Sequence, residues 1–98
     1  MHTHPQFRLL ALLYKAMANE RRLFIVQQLM RKELTNRDLL ILLRIHSGAV
    51  SKHLHLLLRA GIIEGRRKGR EVFFRIRPSV RAAVIFTFRE LLMVRQDS

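Results

Sequence analysis

Residues 47–76 read SGAVSKHLHLLLRAGIIEGRRKGREVFFRI, from Ser47 to Ile76. At about 100° per residue, Val50, His53, Leu54 and Leu57 share one side of a helix, flanked by Ala49 and Leu56. Gly48, Ser51, Lys52, His55 and Arg59 fall on the other side, which carries no acid. One side packs, and the other presents small, hydrogen-bonding and cationic groups. Gly61 ends this helix as a glycine just past the C-cap. The second half is a hairpin, Ile62 to Arg66 and Glu71 to Arg77, turning at Lys68-Gly69 with positive φ at Gly69. Arg66, Arg67, Lys68 and Arg70 ring that turn. A cationic helix running straight into a cationic hairpin has the layout of a winged helix-turn-helix. Its helix enters a major groove and its wing reaches the adjacent minor groove or backbone.

The rest of the chain supports a polyanionic partner. The 98 residues fit one domain, 1–98, and hold 19 Lys and Arg against 7 acids, a net charge of +12. Nucleic acid or an anionic membrane surface suits that bias. Apolar residues make up 49% of the chain, more than a small monomer core holds, so a hydrophobic subunit interface is expected. With no cysteine, disulfides, thiolate metal sites and thiol redox switches are excluded. No apolar run reaches the roughly 18 residues of a membrane span, and MHTHPQF lacks the order of a signal peptide. A cytoplasmic location is expected.

Upstream of the recognition helix, Met1 to Pro5 reads as a loose tail, with weak cation binding by His2 and His4 as the alternative. Phe7 to Met17 forms a helix that is apolar nearly all round and needs cover on more than one face. Asn19 caps a second helix, Glu20 to Arg31, whose buried stripe is Leu23, Val26, Leu29 and Met30. Arg21, Arg22, Arg31 and Lys32 form its solvated face. Glu33-Leu34 suggests a very short strand, and Thr35 to Asp38 a capping box opening a helix through Leu43. Arg44 to His46 make the turn, and Ser47 or His46 caps the recognition helix. After the hairpin, Pro78 or Ser79 starts a last helix to about Arg95. Val80, Val84, Phe88, Leu91 and Leu92 form its apolar stripe, which Ile85 and Phe86 broaden. These residues, with Leu9, Leu10 and Leu13 of the first helix, are the expected dimer interface.

Several motifs together resemble the ArsR/SmtB family of winged-helix repressors over about two-thirds of the chain. They are YKAMANERRLFIVQQL, ELTNRDLL, AVSKHLHLLLRAGII and RRKGREVFFRI. The resemblance implies a mainly α fold with a small β-hairpin, in the order helix, helix, strand, helix, helix, strand, strand, helix. It also implies a homodimer through the first and last helices, and operator binding relieved by a signal. The family's metal ligands do not carry over. Thr35 and Arg37 stand where thiolate sensors have cysteines. Pro78, Val80, Leu91 and Val94 stand where zinc sensors have ligands on the last helix. Arg44 replaces a common turn glycine, adding a candidate phosphate contact. Gly48 replaces a common hydroxyl, losing a donor but letting backbone approach closely.

Weighed singly, Arg66, Arg67, Lys68 and Arg70, turned at Gly69, are expected on phosphate or in the minor groove. A merely solvated hairpin tip is the alternative. Ser51, Lys52 and His55 are expected at or near base edges, with Ser47 and the Gly48 backbone nearer phosphate. His53 shares the sector of Leu54 and Leu57 and reads as a partly buried, hydrogen-bonded residue rather than a ligand. His53 and His55 point about 160° apart and cannot chelate one ion. No HExxH, GxxxxGK or nucleophilic triad is present, and Glu33, Asp38 and Glu90 are scattered, so neither enzyme nor cofactor is expected. The leading expectation is a dimeric, sequence-specific regulator of double-stranded DNA, a repressor on an imperfect inverted repeat. The alternatives are a general nucleic-acid binder, and a protein-interaction module using Leu58 and the last helix. A membrane-surface role is disfavoured because the fold would bury the apolar stripes.

Overall fold

The computed structural model describes residues 4–97 in backbone and 4–93 in side chain. The element order is α1 (Pro5–Met17), α2 (Glu20–Arg31), β1 (Leu34–Thr35), α3 (Asn36–Leu43), α4 (Ser47–Arg59), β2 (Ile63–Lys68), β3 (Glu71–Ile76) and α5 (Pro78–Asp97). Met1, His2 and Thr3 lie outside the described residues, as do the side chains of Val94 and Arg95. Pro5, read as tail, opens α1 instead, with His4 at its N-cap. Proline suits the first helical turn because the amide it lacks would have no partner there.

Local chemistry sets most boundaries. The Asn19 side chain accepts from the amides of Arg21 and Arg22 and starts α2. Thr35 Oγ1 accepts from the Asp38 amide at 3.1 Å, and Asp38 Oδ2 accepts from the Thr35 amide at 2.9 Å. This reciprocal box fixes the start of α3. The same amide holds the Asp38 carboxyl below its ordinary value. At the end of α4, the Gly61 amide donates to Leu58 and the Ile62 amide to Leu57. With Gly61 at φ 75°, this is a Schellman motif, and buried Leu57 and Ile62 supply its apolar contact.

The sheet has the order β1-β3-β2, antiparallel throughout. Leu34 pairs with Phe74 and Thr35 with Phe73, so the short first strand lies beside β3. Lys68 pairs with Glu71, which makes Gly69-Arg70 the two-residue turn rather than Lys68-Gly69. Gly69 takes φ 67° at the first central position, where a type II′ turn requires it. Ile62 belongs to the helix cap, so β2 starts one residue later than the hydrophobic pattern suggests.

The core joins Ile25, Val26 and Leu29 of α2 to Leu34, Leu39, Val50, Leu54, Leu57, Ile62, Ile63 and Ile76, with Ala16, Met17 and Val84 at its edge. Ile25 is fully buried, whereas Leu23, placed in the buried stripe by its spacing, is 39% exposed. The α2 stripe is therefore rotated toward α4 and β3. Arg81 Nη2 donates to the Met30 carbonyl and ties α5 to the C-terminal end of α2.

Candidate nucleic-acid interface

The capped start of α4 organises the interface. His46 is the N-cap, and its Nδ1 accepts from the Gly48 amide at 3.0 Å. The Gly48 amide, expected near phosphate, is therefore occupied within the chain. An added Cβ at Gly48 would stand 3.1 Å from His46 Nδ1 and 3.2 Å from Cε1. A side chain at this position would have to displace the imidazole cap by a few tenths of an ångström. In the neutral ring, accepting at Nδ1 places the proton on Nε2, an outward donor at the tip of the helix. Only the position before Ser47 hinted at this role for His46.

Val50, Leu54 and Leu57 are buried, which turns Ser47, Ser51, Lys52, His55 and Arg59 outward, all exposed. The exposed reading face carries no carboxylate from its own helix. Arg44, between α3 and α4, is exposed at φ 54°. It is the one described non-glycine residue with positive φ. This left-handed conformation is why glycine fits the position easily, and arginine holds it at a cost of roughly 1 kcal/mol.

His53 sits at the edge of the packed side, half-buried. Its Nδ1 lies 3.2 Å from Arg22 Nη1. Burial, then the charges of Arg22, Arg21 and Lys52, hold its pKa below the ordinary value, so the ring is neutral and accepts from the guanidinium. Arg22 Nε also donates to the Ala16 carbonyl at the end of α1. Arg22 is thus no part of a solvated face. It joins α1, α2 and α4 through two contacts that helix periodicity does not reveal.

The wing's cations divide by face. Strand pairing puts Arg66 and Lys68 on one face with Phe73, and Arg67 on the other, opposite Val72. Arg66 Nε lies 3.8 Å from Glu33 Oε1, and Lys68 Nζ stands 5.9 Å from the Phe73 ring centroid. Arg67 and Arg70, at the exposed tip, form no ion pair among the described residues. Nearer the base, Glu64 pairs with Arg75 at 2.9 Å and with Arg77 at 3.8 Å. Around its turn the wing therefore carries two uncommitted guanidiniums, Arg67 and Arg70, and two cations with partners inside the chain, Arg66 and Lys68.

The residues expected at a dimer interface also divide. Val84 is only 6% exposed, and Leu13, Val80 and Phe88 pack against the core. They dock α1 and α5 onto their own chain. Leu9, Leu10, Leu91 and Leu92 are exposed, together with Phe7, Leu12, Tyr14, Phe86 and Met93. Among the described residues, no group of three or more His, Asp or Glu side chains could hold a metal ion. No helix is long and apolar enough to cross a membrane among those residues.

Residues 19–64 match the family of bacterial regulatory proteins named arsR. The transcriptional activator HlyU of Vibrio cholerae is 42% identical over 62 residues, 63% of this chain and 57% of that protein. The solved structure of V. cholerae HlyU superposes with a TM-score of 0.79 at 33% identity, covering 89% of this chain and 96% of that one. The transcriptional repressor SmtB of Mycobacterium tuberculosis is 38% identical over 64 residues, 65% of this chain and 47% of that protein. Mb0332 of Mycobacterium bovis was solved as a homodimeric winged helix-turn-helix DNA-binding domain. It matches with a TM-score of 0.77 at 27% identity, over 94% of this chain and 82% of that one. The chain's match spans about half the length of these two curated relatives.

Proposed function

The chain belongs to the ArsR family of bacterial regulatory proteins, and from that premise we propose that it is a dimeric, sequence-specific, double-stranded-DNA-binding transcriptional repressor of the cytoplasm, with no catalytic role. The observation that carries this reading is the acid-free exposed face of α4, presented beside a wing tip with two uncommitted arginines. Residues 1–98 act as one DNA-binding unit. Ser51, Lys52 and His55 read base edges in the major groove, while Ser47, Gly48 and Arg44 approach the backbone. Arg67 and Arg70, turned by Gly69, reach phosphate or the neighbouring minor groove. Arg66 and Lys68 give up part of their intrachain contacts to do the same.

A second copy covers the exposed leucines of α1 and α5, as the homodimeric Mb0332 domain suggests. Two-fold symmetry then sets the recognition helices about one DNA turn apart, on an imperfect inverted repeat. Val84, with Leu13, Val80 and Phe88, supports that surface from beneath.

Selection of sites from random duplex DNA at near-physiological salt tests the reading. An enriched inverted repeat is expected. Strong, salt-sensitive binding without an enriched sequence would replace it with a general nucleic-acid binder, which the +12 charge would equally serve. Arg67→Ala is expected to weaken all sequences alike and lower the slope of log affinity against log salt by about one. An unchanged slope would remove Arg67 from the phosphate contacts.

A further inference from the structure

At the C-terminal end of the recognition helix, α1, α4 and α5 line an open cleft of about 650 Å³ that takes in Arg59 at the edge of the outward face. That volume lies in the range of small-molecule sites. Its walls are apolar: Leu12 and Leu13 from α1, Leu56 and Ala60 from α4, and Val80 from α5. Its polar lining is Lys15, Arg22, Arg59, Arg77 and Ser79, with no acid among the lining residues. Arg77 is partly neutralised by Glu64 at 3.8 Å, whereas Lys15 and Arg59 have no ion pair among the described residues.

Two helix C-termini, those of α1 and α4, open toward the cleft, and their carbonyl ends would repel an anion. Several of those carbonyls already have donors. Arg22 Nε takes that of Ala16, and the amides of Gly61 and Ile62 take those of Leu58 and Leu57. The start of α5 also faces the cleft through Ser79 and Val80, and its first turn has no acid. What remains is an apolar trough with cationic groups at its rim and no carboxylate to compete for them.

The cleft and the second-copy surface share Leu9 and Leu12, but α1 has a further exposed side that the cleft does not use. Leu9, Leu12, Leu13 and Ala16 recur at helical spacing and face the cleft, while Phe7, Leu10 and Tyr14 lie on a separate, exposed side. A partner that meets α1 mainly through Phe7, Leu10 and Tyr14 leaves the trough between α1, α4 and α5 in place.

We propose that this cleft is a binding site for an amphipathic organic monoanion, an acyl or aryl carboxylate. Its apolar body lies along Leu12, Leu13, Leu56, Ala60 and Val80, and its carboxylate meets Lys15 and Arg59. Arg22 links the site to the recognition helix, since a carboxylate drawn to its guanidinium competes with His53 Nδ1. The site itself does not depend on the chain's reading of DNA.

Calorimetric titration of the full chain with decanoate, in the absence of DNA, is the test. Saturable binding below the micellar concentration is expected. Decanol, which keeps the chain and loses the charge, and acetate, which keeps the charge and loses the chain, are each expected to bind at least about tenfold more weakly. Lys15→Gln with Arg59→Gln is expected to weaken decanoate about tenfold. The same loss of charge in Arg31→Gln with Arg37→Gln, away from the cleft, is expected to leave it unchanged. All four side chains are exposed, so both variants are expected to keep wild-type circular dichroism. No saturable binding by the folded wild type, or equal weakening in both double variants, would overturn the site. Either result would leave the DNA-binding reading to stand or fall on its own selection experiment.

Discussion

Helices α4 and α5 each carry apolar side chains at helical spacing and end in opposite states. In α4, Val50, Leu54 and Leu57 are buried within the chain, and the cap at each end is built from local groups. In α5, Val84 is buried, yet Leu91 remains 64% exposed and Leu92 and Met93 are exposed beside it. A stripe of apolar residues therefore states that burial is favourable, not what provides the cover. Apart from exposed Leu58, the apolar side of the recognition helix is covered by its own chain, and that of the last helix is covered only in part.

The comparison can be broken most directly at Leu57. Leu57→Ala removes a fully buried side chain and the apolar contact of the Schellman motif, and is expected to cost about 3 kcal/mol. Leu91→Ala in dilute protein is expected to cost under about 0.5 kcal/mol. Urea unfolding measures both, and equal losses would erase the distinction between the helices.

Leu91→Lys combined with Leu92→Lys sharpens the same contrast. Sedimentation is expected to show a folded monomer where the parent chain dimerises, with helical circular dichroism retained. A dimer that survives both lysines would move the interface off the second half of α5. A smaller effect is expected at the turn before α4, where Arg44→Gly relieves the left-handed backbone. The gain is roughly 1 kcal/mol, less the extra entropy glycine brings to the unfolded chain. A rise in the thermal midpoint with a shallower salt dependence of DNA binding would assign Arg44 both strain and a phosphate contact.

The smallest effect separates α4 from α1 through the Arg22 contact. The folded state holds His53 below its ordinary value of 6.5, so on acidification the unfolded chain takes up that proton first. The contribution is complete above pH 6.5 and lost as pH falls through the folded value. His53→Gln is expected to flatten the slope of unfolding free energy in that window. Asp38, also lowered, adds its own loss in more acid solution, below its ordinary value of 3.8. An unchanged slope in His53→Gln would detach the imidazole from the stability of the α1-α2-α4 junction.

Elements defined by local chemistry were legible beforehand. Asn19, the Thr35 and Asp38 box and Gly61 each act within a few residues, so their spacing alone locates helix ends, while Gly69 marked the hairpin but not its register, which puts the turn at Gly69-Arg70. The outward face of α4 was legible for a related reason. Its packed residues repeat at helical spacing, and the opposite side follows from geometry. Leu23 and Ile25 show where this ends. Both fit an apolar stripe on α2, and only the placement of α4 and β3 decides that Ile25 is the buried one.

By itself, the sequence determined the helix and strand order, the outward cationic face of α4 and the strong positive charge of the chain. Those properties follow from short-range periodicity, capping and net charge, which every conformation of the chain shares. Only the tertiary structure decided that Arg22 bridges Ala16 and His53, that Arg66 turns toward Glu33 while Arg67 does not, and that an acid-free cleft lies at the C-terminal end of the recognition helix. Each of those depends on a contact between residues of separate elements. The angle at which packed helices and strands meet sets such contacts, and no spacing along the chain encodes it.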